Sequence, residues 1–144
     1  MIILTEEVKS GIFAEGERAF PNECCGFLLG SVREDGKRIG DVVLTVRNTR
    51  DDAEAYHRFE IAPQDFLRAE REAADAGKDV VGIYHSHPDH PSVPSDYDLD
   101  HALPYYSYVI VSVAHGTAAD VKSWRLEDDR SGFSEEAIVA EPES

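Results

Sequence analysis

The sequence predicts one α/β or α+β domain, and three observations predict it. Helical and strand-like segments alternate in the order αβββαβαβββ. The length of 144 residues suits one domain with its own core. No internal repeat, low-complexity tract or linker divides the chain. The domain is expected to span residues 1–140, with 141–144 a short acidic tail that frays.

Each element has its own signal. Residues 5–19 place Val8, Ile12, Phe13 and Ala19 at mostly helical spacing, with Thr5 able to cap, and Pro21-Asn22 ends the helix. Residues 24–32 are a mostly apolar run, hence a buried strand. Asp35-Gly36 turns the chain, and 38–45 returns as the second arm of a hairpin. Residues 46–57 are polar and read as a loop, followed by a short strand over 58–61. Pro63 opens a second helix through residue 76, with Phe66, Leu67, Ala69 and Ala73 available for its inner face and Gly77 closing it. Residues 79–85 hold the strand-formers Val80, Val81, Ile83 and Tyr84. The three prolines within 88–94 stiffen a loop, and 95–103 reads as a short helix. Strands over 106–113 and 119–126, and a weaker one over 133–139, complete the sheet.

Composition narrows the function. A hydrophobic fraction of 42% and an aromatic fraction of 9% suit a soluble globular domain. No apolar run approaches the ~20 residues of a membrane helix. Met1-Ile2-Ile3-Leu4 meets Thr5-Glu6-Glu7 at once, so no secretory signal is read and a cytoplasmic protein is expected. The net charge of −15 argues against a nucleic-acid backbone as partner. Only four residues are lysines, an acid-rich and lysine-poor balance also met in halophiles. Cys24 and Cys25 are adjacent, which excludes a disulfide framework within the chain; they read as small apolar residues entering a strand.

The chemistry concentrates in Tyr84-His85-Ser86-His87-Pro88, followed by Ser95 and Asp98. His85 and His87 stand at i and i+2 at the end of a strand, so both rings leave on one face and can share a metal. Zinc takes His and Asp ligands, and a catalytic site keeps three protein ligands plus a water. Asp98, on the first turn of the next helix, is a natural third. Ser95 and Asp98 equally resemble a helix-capping box with Asp in the usual Glu place. His90 and His101 lie near enough to compete as ligands but read as solvated. His57 and His115 stand alone. Asp89, Asp96 and Asp100 are either partners for the imidazole N–H groups or ordinary solvated acids.

The run His-Ser-His-Pro, six residues, Ser, two residues, Asp resembles the JAMM motif H-x-H-P-x6-S-x2-D of the MPN-plus metalloproteases. Pro21-Asn22-Glu23-Cys24-Cys25-Gly26-Phe27-Leu28-Leu29-Gly30 resembles the upstream element of the bacterial and archaeal members, and residues 104–112 resemble a later one. The likeness covers nearly the whole chain. It implies a mixed, curved sheet flanked by helices, of the cytidine-deaminase-like JAMM fold. It implies Zn²⁺ on His85, His87 and Asp98, Glu23 as general base and Ser95 as donor to the developing oxyanion. The compact chain looks like the stand-alone prokaryotic members. Their implied partner is a ubiquitin-like or sulfur-carrier protein ending in Gly-Gly, cut at the amide after that terminus to release cysteine or a lysine-linked protein. Two readings from other classes stay open: a non-catalytic MPN-type interaction scaffold, and the DNA-repair-associated or phage-tail branches that share the motif. Oligomeric state is not written in the sequence.

Overall fold

A computed structural model describes residues 1–49 and 59–140. Among them run β1 (Ile2–Leu4), α1 (Glu6–Ala19), β2 (Cys25–Val32), β3 (Arg38–Val46), α2 (Pro63–Asp75), β4 (Asp79–Pro88), α3 (Asp96–Asp100), β5 (Ser107–Ala114), β6 (Thr117–Leu126), β7 (Phe133–Glu136) and β8 (Ile138–Ala140). The strands form one mixed sheet in the order β7-β6-β5-β4-β2-β3-β1-β8. The residues expected to form the tail, 141–144, lie outside the described residues, as does His57.

The sheet is curved and nearly closed, and the chain's own connectivity shows why. β7 and β8 stand at opposite ends of the strand order, yet only Ala137 separates them in sequence. One residue can join them only if the two ends of the sheet come round to each other. The Ile2 amide donates to the Ala137 carbonyl at 2.9 Å, and the N-terminal amine lies 3.5 Å from Glu136. The single weak strand expected over 133–139 is split across this seam. It also adds β1, which pairs in parallel with both β3 and β8. Ile2, Ile3 and Leu4 are buried, as an apolar run covered on both faces requires.

Two cores lie on the two faces. Under α1 pack Ile2, Leu4, Val8, Ile12, Leu28, Val81, Val109, Val111 and Val113. The Thr5 hydroxyl accepts from the Val8 amide at 3.2 Å and starts the helix, whose buried residues Val8, Ile12 and Gly16 recur every fourth position. A Cβ on Gly16 would sit 3.0 Å from Val113, so its absence lets α1 lie close on β5. Under α2 pack Phe27, Leu29, Ile61, Ala69, Ala73, Ile83 and Tyr108. Phe66 meets Phe27 edge to face at 5.0 Å, whereas Leu67 is 64% exposed and not on the inner face. The buried positions 69 and 73, with 66 one turn earlier, define a stripe that 67 misses. Gly77, at φ 70°, turns the chain out of α2.

Three further expectations are corrected. No strand spans 59–61, and Arg58 lies outside the described residues. There the Glu60 amide donates to the Asn48 side chain and its carbonyl accepts from the Thr49 amide, so a side chain stands in for one rung of a ladder. The helix expected over 95–103 ends at Asp100, before Pro104. Of the loop expected over 46–57, Val46 belongs to β3, 47–49 form no regular element, and the rest lies outside the described residues.

Candidate metal centre

Three elements bring the sequence-selected residues together. β4 is longer than expected and carries both histidines within it, ending at Pro88. Antiparallel pairing of β2 with β4 sets Cys25 opposite His85. One residue earlier the pairing continues: the Ser86 amide donates to the Cys24 carbonyl at 3.2 Å, and the Cys24 amide donates to Ser86 Oγ at 2.8 Å. Glu23 therefore comes level with His87, on the same face of the sheet. One donor atom from each of Glu23, His85 and His87 lies within 4.8 Å of the others. α3 supplies Asp98, whose Oδ2 is 3.2 Å from His85 Nε2 and 3.1 Å from His87 Nε2. Glu23, His85, His87 and Asp98 are all buried.

Ser95 caps α3 at the edge of the site. Its hydroxyl accepts from the Asp98 amide at 3.1 Å, and its own amide donates to Asp98 Oδ2 at 2.9 Å. The capping box is real, and it aims the same carboxylate oxygen at the two imidazoles. Capping and a site role were alternatives in the sequence; in the fold the cap is made with the same carboxylate oxygen that faces the imidazoles. Ser95 itself is exposed.

The hydrogen atoms available do not satisfy this cluster. His87 Nδ1 lies 2.8 Å from the Pro91 carbonyl. A carbonyl only accepts, so Nδ1 carries the proton and Nε2 presents a lone pair. That lone pair lies 3.1 Å from His85 Nε2 and 3.1 Å from the equally proton-free Asp98 oxygen. One proton on His85 Nε2 serves one contact, not three. A cation at their centre serves all of them. Ligand atoms around a tetrahedral ion bound at ~2.0–2.2 Å stand roughly 3.3–3.6 Å apart, close to the 3.1–3.2 Å seen here. The donor set of two imidazoles and a carboxylate fits zinc.

Burial pushes the Glu23 carboxyl up to about 8, with Asp98 adding to the rise and His87 opposing it. Burial alone would also raise Asp98, but His85, His87 and the Ser95 amide overcome it and hold Asp98 below the ordinary carboxylate range. Burial pushes His85 down. Burial acts the same way on His87, yet the bond and charge of Asp98, with Pro91 and Glu23, turn the net shift upward. Burial thus dominates at Glu23 and His85, whereas at His87 the contacts led by Asp98 outweigh it.

Around the centre, Phe59 stacks on His85 at 4.4 Å and 24°. Asn48 donates to the Glu23 carbonyl at 3.2 Å, tying that strand start to the loop before α2. A cavity of about 210 Å³, walled by Phe59, Ile61, Phe66, Ile83, Leu103 and Tyr108, opens beside Asp98. His90 and His101 are exposed, and His101 stacks on Tyr97 at 4.1 Å. Asp96 and Asp100 are exposed. Asp89 accepts from the His115 amide at 2.7 Å. Sequence reasoning did not find Phe59, Asn48 or the Pro91 carbonyl; Pro91 offered no signal, because only its backbone acts.

The family model described as prokaryotic homologs of the JAB domain matches residues 5–127. The chain belongs to that family, the stand-alone prokaryotic branch of the JAMM/MPN proteins. It is 32% identical over 119 residues to a desampylase of Pyrococcus furiosus, across 83% of this chain and 76% of that one. It is 36% identical over 93 residues to a desampylase of Haloferax volcanii, across 64% of this chain and 63% of that relative's own length. A solved solution structure of a Desulfitobacterium hafniense protein superposes with a TM-score of 0.85 at 30% identity, covering 99% of this chain and 94% of the other. The curved mixed sheet expected of a JAMM domain is the observed one. Among the described residues no helix is long and apolar enough to cross a membrane.

Proposed function

We propose that this JAMM-family chain is a zinc-dependent isopeptidase that hydrolyses the amide after the C-terminal Gly-Gly of a ubiquitin-like protein. The observation that carries the reading is the approach of His85 Nε2, His87 Nε2 and Asp98 Oδ2 within 3.2 Å of one another beside the buried Glu23 carboxyl. His85, His87 and Asp98 would hold the ion. Bound there, zinc supplies Lewis acidity, which acidifies water and polarises a carbonyl. Glu23 takes the proton of the attacking water and hands it to the leaving amine. The Ser95 hydroxyl, held by the Asp98 amide, donates to the oxygen on which negative charge develops, a contact worth roughly 3 kcal/mol. The apolar cavity beside Asp98 receives an apolar side chain of the carrier near its tail.

The relatives named desampylase favour release of a lysine-linked protein over release of free cysteine. The test uses a Gly-Gly-terminated ubiquitin-like protein joined to a lysine side chain in one arm and to cysteine in the other, with and without chelator. Chelator-sensitive cleavage of the lysine conjugate is the expected result. Cleavage of neither, by protein carrying one zinc, overturns the reading.

A further inference from the structure

The proline-rich loop after β4 presents three successive backbone carbonyls, and each accepts from one side chain. The His90 carbonyl takes the Ser112 hydroxyl of β5 at 2.6 Å. The Pro91 carbonyl takes His87 Nδ1 of β4 at 2.8 Å. The Ser92 carbonyl takes the Trp124 indole N–H of β6 at 2.9 Å. The Ser92 hydroxyl, itself buried, then donates to Asp120 of β6 at 2.5 Å. The sheet register explains the alignment: His87 is level with Ser112, and Ser112 with Asp120. The middle carbonyl of the three orients a metal-facing ring, and the outer two are fastened to neighbouring strands.

We propose that Ser112, Asp120 and Trp124 are positioning residues for His87. They hold the loop so that the Pro91 carbonyl keeps the proton on Nδ1 and the Nε2 lone pair aimed at the metal position. Partners of this outer kind fix tautomer and ring orientation, and their loss costs a metal site roughly 10–100-fold in affinity. Pro91 cannot anchor the loop by an amide of its own, since proline has none. The anchors must therefore come from the flanking residues. The inference rests on the reading of His87 as a metal ligand.

The test is zinc affinity, read by competition with a chelating dye in the full-length chain. Trp124→Phe keeps the ring packing and removes the N–H; Ser112→Ala removes the other donor. The double variant should bind zinc 10–100-fold more weakly, with KM for a conjugate unchanged and kcat lowered at full loading. Asp120→Ala should weaken binding, whereas Asp120→Asn, whose amide oxygen still accepts from Ser92, should restore it. Val121→Ala is the control: it packs against the core under α1 on the same strand and should lower the melting temperature without moving zinc affinity. The proposal is overturned if the double variant binds zinc within threefold of the parent, or if Val121→Ala loses as much affinity. Failure of the ligand reading looks different: His87→Ala would then bind zinc as well as the parent.

Discussion

The two faces of the sheet differ in kind. The face under α1 is closed with aliphatic residues, from Ile2 and Leu4 through Leu28 to Val109, Val111 and Val113. The face under α2 begins the same way, with Phe27, Leu29 and Ile83, and then turns polar. Along β4 the change occurs within one strand: Ile83 packs, while His85 and His87, on the same face, meet Asp98 and Glu23. Burying such groups costs stability unless they are paired. Apolar packing therefore stabilises both faces, and the face under α2 also carries a buried polar cluster that a cation would complement.

That division yields predictions, taken from the largest effect down. Glu23→Gln keeps the side-chain volume but cannot accept and redeliver a proton. With the carboxylate as general base, turnover of a Gly-Gly-terminated conjugate should fall by roughly 10²–10⁴, at zinc occupancy and melting temperature no lower than the parent's. Near-parental turnover at full occupancy would remove Glu23 as the base. On the opposite face, Ile12→Ala should cost about 2–5 kcal/mol in urea unfolding, because Ile12 is fully buried under α1. Its folded fraction should bind zinc as the parent does; a matching loss of zinc would show that the two faces are not separable.

Ser95 straddles the division. Ser95→Ala should lower stability by only about 1 kcal/mol through the lost cap. Its turnover should fall as well, at unchanged KM, through loss of the donor to the oxyanion. Slower turnover without any stability change would mean that the capping box seen at α3 contributes nothing to the fold. The smallest effect on the fold concerns chelation. Activity should stop while the far-UV circular dichroism stays nearly as it was, since the strands are held by two apolar cores rather than by the ion. Collapse of that spectrum on chelation would make the centre structural.

Much of this was legible in the chain itself. Helical spacing with Thr5 in capping position located α1, and apolar or strand-forming runs located β2, β4, β5 and β6, because local pattern records which face is buried. His85 and His87 stood out by spacing, since i and i+2 on a strand share a face whatever the rest of the fold does, while Ser95 and Asp98 read equally as a capping box until the resemblance to the JAMM motif joined them to the histidines. Other features depended on residues far apart in sequence. β1 was too short to show a period, and it is a strand because β3 and β8 flank it. That β7 and β8 belong to opposite ends of the sheet follows from its closure, which no local pattern encodes. Glu23 reaches His87 across a strand pairing 62 residues apart, as the Cys24 to Ser86 bond shows. The loop that orients His87 is held by Ser112, Asp120 and Trp124, ordinary strand residues until the register of β4, β5 and β6 aligns them. Residue types and spacings determined which groups could bind a metal; only the packing of the sheet decided their distances, their protons and the outer residues that hold them in place.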